Sequence, residues 1–148
     1  MIEIYTDGSA VVSGKNKGLG GFGVVFTING KVKKVMNGGY KNTKTGRMEL
    51  TAVLKALKIL SKDQSATIFS DSMYVVNTFS KNWILKWKRS GWPCKNKDLM
   101  QKLLIEFLKF PKGSVSFVHV KGHSGNKFNE LADELANYKN FNYFKKDL

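Results

Sequence analysis

Apolar and polar residues alternate along the first third of the chain, which predicts strands. Residues 2–6 alternate and are mostly β-branched or aromatic, and Phe22–Ile28 and Lys31–Tyr40 flank the dipeptide Asn29-Gly30. Asn-Gly between two alternating runs is the strongest short signal for a two-residue hairpin. The pattern therefore predicts an N-terminal strand followed by a β-hairpin.

Beyond the hairpin, helical spacing of apolar residues alternates with short strand-like runs. Helices are predicted for four stretches, namely about Arg47 to Ser61, Ser72–Phe79, Leu99–Phe110 and Asn126–Tyr138. Strands are predicted for Ala66–Ser70 and Val115–Val120, with His119 expected to pack in the core. A run of strands followed by alternating strands and helices predicts an α/β fold, with a mixed sheet flanked by helices.

Length, cysteine content and charge narrow the class of protein. The chain has 148 residues, which fits one domain, and its 42% hydrophobic content excludes collagen-like and disordered chains. No apolar run is long enough to span a membrane, and the N-terminus does not resemble a secretory signal. A single cysteine, Cys94, suits a reducing compartment, so we expect a cytoplasmic protein. The net charge of +14 favours a nucleic acid partner over a membrane, although a merely lysine-rich surface is the alternative.

Two of the eleven acidic residues follow predicted strands. Asp7 is expected to end the first strand, and Asp71 directly follows Ala66–Ser70. Ligands of open α/β sheets bind just outside the carboxyl ends of strands. The alternative for Asp71 is an N-cap of the next helix.

Two further acids lie on predicted helices. Glu49 falls on the apolar stripe of its helix, where a charge is costly unless it is compensated, and a capping-box role is the alternative. Asp133 borders the apolar face of the last predicted helix. His123 lies in the glycine turn before that helix, where an imidazole is suited to proton transfer.

Together these four carboxylates favour a metal site. Acids that converge raise one another's pKa unless a cation compensates them. Oxygen ligands select Mg²⁺ or Mn²⁺, and pairs of such ions are typical of phosphodiester cleavage. One cysteine and two histidines do not make the usual zinc sets, and the chain has no Gly-x-Ser-x-Gly elbow or phosphate loop.

An ordered set of motifs over about residues 2–136 resembles the type 1 ribonuclease H family. The matching pieces are Tyr5-Thr6-Asp7-Gly8-Ser9, Gly18-Leu19-Gly20-Gly21-Phe22-Gly23, Arg47-Met48-Glu49-Leu50, Ser70-Asp71-Ser72, Tyr74-Val75, Trp83, Trp87, Gly91-Trp92, Val120-Lys121-Gly122-His123, Asn129-Glu130 and Asp133-Glu134-Leu135-Ala136. Each piece alone is weak, but the ordered set is specific.

The resemblance implies a ribonuclease H-like fold, with a five-stranded mixed sheet flanked by helices, in one catalytic domain over residues 1–148. It implies endonucleolytic hydrolysis of the RNA strand of RNA–DNA hybrids, leaving 5′-phosphate and 3′-hydroxyl ends. Asp7, Glu49, Asp71 and Asp133 match the ligands of two Mg²⁺ ions, for which Mn²⁺ can substitute. His123 matches a mobile histidine that helps proton transfer or product release, and Glu130 matches an acid near the second ion.

The resemblance also implies which residues bind the hybrid. The candidates are Asn16, Arg47, Trp83, Trp87, Lys86, Lys88, Arg89 and Asn129. Aromatic rings among cations suit a groove that holds the sugars and phosphates of one strand. We expect a monomer without a separate hybrid-binding domain.

The sequence departs from the family pattern at a few positions. Thr45-Gly46 replaces an expected Asn before the Arg-Met-Glu element, Met73 replaces an expected Gln, and the lysine-rich segment after Trp92 is short. Three alternatives remain open at this point: a junction resolvase, a reverse-transcriptase nuclease domain, and a non-catalytic hybrid-binding module.

Overall fold

The computed structural model describes residues 1–147. Six strands form one sheet: β1 (Ile2–Ala10), β2 (Gly20–Ile28), β3 (Lys31–Lys41), β4 (Ala66–Ser70), β5 (Val115–His119) and β6 (Lys145–Lys146). Five α-helices accompany them: α1 (Thr45–Ile59), α2 (Met73–Ser80), α3 (Trp83–Arg89), α4 (Lys97–Phe107) and α5 (Lys127–Ala136). A 3₁₀ turn over Tyr138–Asn140 follows α5.

The sheet is mixed, with strand order β5-β4-β1-β2-β3-β6. Strands β1, β2 and β3 pair antiparallel, whereas β4, β5 and β6 each join a parallel neighbour. The predicted hairpin is confirmed: Asn29 and Gly30 both have positive φ, 52° and 78°, as a type I′ turn requires. The predicted α/β fold is confirmed as well.

Helices cover both faces of the sheet because successive side chains of a strand point to opposite sides. On one face, Ile4 and Val24 belong to a large core with buried residues of α1, α2 and α4. On the other face, Tyr5 and Val25 pack with Ala132 of α5 in a smaller cluster. Asp7 therefore shares its side of β1 with Tyr5 and faces α5.

The structure corrects several predictions. Strand β1 continues to Ala10, so Asp7 lies inside a strand and not at its end. The predicted five strands become six, because the C-terminal segment adds Lys145–Lys146 alongside β3. His119 is exposed at the end of β5 and is not a core residue. Helix α3 was not predicted, since Trp83–Arg89 is short and has only Ile84 fully buried.

Predicted helix boundaries differ from the observed ones by a few residues, as is usual where helix ends lack strong signals. Helix α1 begins at Thr45 without a side-chain cap, and α4 begins at Lys97 after Asn96 in the left-handed region. Within residues 1–147, the helices are all too short or too polar to cross a bilayer.

Candidate active site

Asp7 lies on β1 in the middle of the sheet, at the point where the neighbouring strand β4 ends. Strand β4 stops at Ser70, which is opposite Thr6, so β1 loses its parallel partner from Asp7 onward. Asp7 is 5% exposed, and its Oδ1 accepts a hydrogen bond of 2.8 Å from the backbone N–H of Gly8. The carboxylate is thus held at the edge of a gap in the sheet.

Glu49 reaches this gap because α1 lies directly against β1. A Cβ atom on Gly8 would lie 2.2 Å from the backbone nitrogen of Glu49. Only glycine permits so close an approach between the strand and the helix. The capping-box interpretation of Glu49 is wrong, since the first turn of α1 contains no acid and its N-cap, Lys44, makes no side-chain cap bond.

Asp71 approaches from the other side of the gap, directly after β4. The N-cap interpretation of Asp71 is also wrong: the cap of α2 is Ser72, whose hydroxyl accepts a hydrogen bond from the backbone N–H of Val75 at 3.3 Å. The Asp71 side chain is therefore not required by the helix. It remains available to the site.

Asp133 enters from α5, which packs on the face of the sheet opposite α1. Strand β2 carries Gly23 next to Asp7, and a Cβ atom there would lie 2.2 Å from the carbonyl oxygen of Ala132. This contact places the helix backbone, and with it Asp133, against the centre of the sheet. The charge of Asp133 acts on both Asp7 and Asp71.

These contacts bring three carboxylates into position for one metal ion. Asp7, Glu49 and Asp71 each offer an oxygen atom, and these atoms lie within 4.8 Å of one another. Asp133 is a neighbour of this group but not a member of it. Oxygen ligands at this spacing fit a hard divalent cation.

The raised pKa values of these three carboxylates also favour a bound cation. Burial, followed by repulsion from Asp71, raises the pKa of Asp7 to about 8 and that of Glu49 to about 7. Burial and the charge of Asp133 also raise the pKa of Asp71. Like charges crowded in a partly dry site favour protonation. A bound cation would reverse this effect, so the donor set fits a metal ion.

Two histidines lie beside Asp71. His123 is exposed with a φ of 54°, and the preceding Gly122 is close enough that its Cβ would lie 3.1 Å from Asp71 Oδ2. His119 Nε2 lies 3.2 Å from the Asp71 carbonyl oxygen, which can only accept, so the imidazole donates. The contact of His119 was missed because strand alternation assigned it to the core.

Two predicted substrate residues are buried. Arg47 is 5% exposed, and its guanidinium pairs with Asp98 at 2.7 Å and with Asp147 at 2.8 Å. Asn129 is 2% exposed inside α5. The structure therefore gives Arg47 a structural role that links α1, α4 and the C-terminal segment, and protein atoms cover most of both side chains.

The other predicted substrate residues are exposed or partly exposed. On α3, Lys86, Lys88 and Arg89 are exposed, while the partly buried rings of Trp83 and Trp87 lie 6.0 Å apart between centroids. Asn16 is partly buried, and its side-chain amide donates to the Tyr138 hydroxyl at 3.3 Å.

Sequence reasoning missed a concave surface next to Arg47. This cavity has a volume of about 670 Å³ and is lined by three lysines, Lys17, Lys44 and Lys97, together with Cys94. These lysines come from three separate segments of the chain. No local pattern could have predicted that they would meet.

Comparison with known proteins agrees with this geometry. A sequence model of the RNase H family matches residues 1–140. The chain is 41% identical to a ribonuclease H of Clostridium botulinum over 92% of this chain and 93% of that protein. It is 42% identical to a ribonuclease H of Caldicellulosiruptor saccharolyticus over 91% and 92% of the two chains.

Solved structures share the fold. LC9-RNase H1, described as a type 1 RNase H with the type 2 active-site motif, has a TM-score of 0.72 and 25% identity over 91% of this chain and 69% of that one. LC11-RNase H1 in complex with RNA/DNA hybrid has a TM-score of 0.64 and 22% identity over 92% and 94% of the two chains. With a matching family model, near-full-length relatives and a converging set of carboxylates, the chain belongs to the ribonuclease H family of enzymes.

Proposed function

We propose that this enzyme hydrolyses the RNA strand of RNA–DNA hybrids endonucleolytically, leaving 5′-phosphate and 3′-hydroxyl ends. The observation that carries the proposal is the convergence of Asp7, Glu49 and Asp71 on one site, with Asp133 beside them. The names of the relatives, and the hybrid present in the LC11-RNase H1 structure, support the substrate class.

We further propose that the four carboxylates hold two Mg²⁺ ions, with Mn²⁺ as a substitute. Such ions lower the pKa of bound water and stabilise the charge of the leaving oxygen during phosphodiester cleavage. The protein's own contribution is placement: the Gly8 N–H orients Asp7, and close packing of α1 and α5 on the sheet fixes Glu49 and Asp133. Partial burial strengthens the attraction of this group for cations.

His123 is proposed to carry protons between the site and solvent. Its imidazole is exposed on a loop beside Asp71, where the neighbouring Gly122 approaches the carboxylate. A proton carrier needs access to both the reacting groups and water, and this loop position offers both. Glu130 is exposed in the first turn of α5, and its proposed place near the second ion rests on the family resemblance.

The proposed duplex-binding surface centres on α3. The exposed cations Lys86, Lys88 and Arg89 lie on the same short helix as Trp83 and Trp87. Phosphates of one strand would contact the cations, and sugars would pack on the rings. Asn16 is proposed to approach the RNA strand, and the cavity lined by Lys17, Lys44 and Lys97 offers further phosphate contacts.

The alternatives are less well supported. A foamy viral protease-reverse transcriptase shares the fold with a TM-score of 0.77, but at 23% identity over only 19% of that chain. The curated ribonuclease H relatives match at about 41% over nearly their whole length. A non-catalytic binding module has no need of converging carboxylates. We propose a cytoplasmic monomer whose residues 1–148 form one catalytic domain.

One experiment tests the substrate class. An RNA–DNA hybrid, a double-stranded RNA and a double-stranded DNA of the same sequence, each labelled on both strands, are incubated with the enzyme and MgCl₂. We expect internal cleavage of the RNA strand of the hybrid only. The Asp7→Asn, Glu49→Gln and Asp71→Asn variants should lose this activity while retaining the fold by circular dichroism. Cleavage of either control duplex at a similar rate, or activity within threefold of wild type in one of these variants, would contradict the proposal.

A further inference from the structure

A second basic site lies away from the carboxylates, between α1, α4 and β6. The cavity has a volume of about 260 Å³. It is lined by five lysines, namely Lys55, Lys58, Lys102, Lys145 and Lys146. Arg47 and Thr51, each two residues from Glu49 on α1, also line it, but none of the four carboxylates Asp7, Glu49, Asp71 and Asp133 does. The cavity is therefore distinct from the active site.

The positive charge of this cavity is not neutralised by its own acids. Within residues 1–147, the acids that line it are Asp98 and Asp147, and both bind Arg47. Burial, followed by the charges of Lys58, Lys145 and Lys102, lowers the pKa of Lys55. Lysines from three separate segments thus repel one another across the cavity. A multiply charged anion would relieve this repulsion.

An aromatic cavity of about 410 Å³ adjoins the basic one, and Lys55 and Lys145 line both. Its walls include Tyr40, Phe141 and Tyr143, and Tyr143 is 78% exposed. The Lys55 ammonium lies 5.9 Å from the ring centre of Phe22, which lines the aromatic cavity as well. An aromatic cleft beside a basic cavity suits a ligand with a flat ring at one end and several negative charges at the other.

We propose that the two adjoining cavities bind a nucleoside triphosphate, with its phosphate chain among the lysines and its base against Tyr143 and Tyr40. Linked phosphates supply more negative charge in a small volume than the diester backbone of a duplex does, and the concave shape favours a small ligand over a duplex. Stacking on an aromatic side chain accepts any of the common bases. The site is therefore expected to distinguish triphosphates from monophosphates but not purine from pyrimidine bases strongly.

The test uses isothermal titration calorimetry of the 148-residue protein in EDTA, which prevents metal-mediated binding at the carboxylates. The probes are ATP, AMP, inorganic triphosphate and a single-stranded DNA that lacks a terminal triphosphate. Lys102→Ala/Lys145→Ala removes two cavity lysines. The control pair, Lys31→Ala/Lys33→Ala, removes the same charge from exposed positions of β3 outside both cavities. Tyr143→Ala tests the base contact.

We expect ATP to bind more tightly than AMP, and the cavity variant to weaken ATP binding at least about tenfold, which corresponds to the loss of one charged hydrogen bond. The control pair Lys31→Ala/Lys33→Ala should weaken ATP binding by less than about twofold. Tyr143→Ala should weaken ATP but not inorganic triphosphate. Equal losses in the cavity and control variants, absence of ATP binding, or tighter binding of the single-stranded DNA than of ATP would overturn the proposal. Hybrid cleavage should be unchanged in Lys102→Ala/Lys145→Ala, so a failure here is separable from a failure of the proposed function.

Discussion

Gly8→Ala is expected to separate α1 from the strand that carries Asp7. The new Cβ would lie 2.2 Å from both the Glu49 nitrogen and the Met48 carbonyl carbon. Ordinary contact begins near 3.4 Å, so the helix and strand must move apart by about 1.2 Å. Both neighbouring atoms belong to the backbone, which means that no rotation of a side chain can absorb the clash.

The consequences should appear in stability and in activity. Overpacking of a close contact costs about 1–3 kcal/mol of unfolding free energy. A displacement of about 1 Å in a catalytic group costs about 10²-fold in rate. We therefore expect kcat for hybrid cleavage to fall about 10²-fold in Gly8→Ala even where the protein remains folded. Urea unfolding measures the first effect and single-turnover cleavage the second.

Gly46→Ala is the matched control because it adds the same methyl group near the same helix end. A Cβ at Gly46 meets no atom within 4 Å, and the residue lies within α1. Alanine in the middle of a helix is more stable than glycine by about 0.5–1 kcal/mol, and Gly46 is in the first turn, so this variant should be at least as stable as wild type and retain its activity. Wild-type stability and activity in Gly8→Ala would refute the role of the close approach.

Three further outcomes are expected. His123→Ala should reduce kcat by up to about 10²-fold without abolishing it, because water can partly replace a proton carrier; unchanged rates across the pH range would contradict this role. The hydrogen bond from Arg47 lowers the pKa of Asp98, so the stability that this pair adds is present at neutral pH and is lost as the pH falls through the lowered value. Asp98→Asn should therefore be less stable than wild type in urea at pH 7, by less than about 1 kcal/mol because Asp98 is half exposed. The difference in unfolding free energy should shrink in acid, and a difference that stays constant with pH would argue against the pair. Lys86→Ala/Lys88→Ala should raise KM and flatten the dependence of log affinity on log salt by about one to two units, whereas Lys31→Ala/Lys33→Ala should not. Equal effects from the two pairs would indicate a diffuse positive field.

The sheet and the main helices were predictable because their signals are local. Alternation predicted the hairpin, and helical spacing predicted the buried stripe of α1. Parts of the fold that depend on distant contacts were not predictable. Strand β6 is two residues long and is defined by its pairing with β3, and α3 has a single fully buried residue.

In the candidate site, too, some features were predictable from local sequence and others depend on distant contacts. The four acids could be singled out because charges near strand ends and on apolar helix faces are unusual. The partners of Arg47 could not be anticipated, since Asp98 and Asp147 are 51 and 100 residues away in sequence. The two lysine-lined cavities likewise combine residues from separate segments. Local sequence pattern therefore singled out the candidate metal-binding acids, while tertiary contacts determined which basic side chains remain available to bind a substrate.

The dependence of hybrid cleavage on divalent metal tests the central claim most directly. Single-turnover cleavage of one labelled RNA–DNA hybrid is measured in EDTA and at increasing MgCl₂, for wild type and for Asp7→Asn. The converging carboxylates predict no cleavage by wild type in EDTA, a saturable increase with Mg²⁺, and no measurable rate for Asp7→Asn at any concentration. Wild-type cleavage that persists in EDTA, or an Asp7→Asn variant that responds to Mg²⁺ as wild type does, would contradict the account.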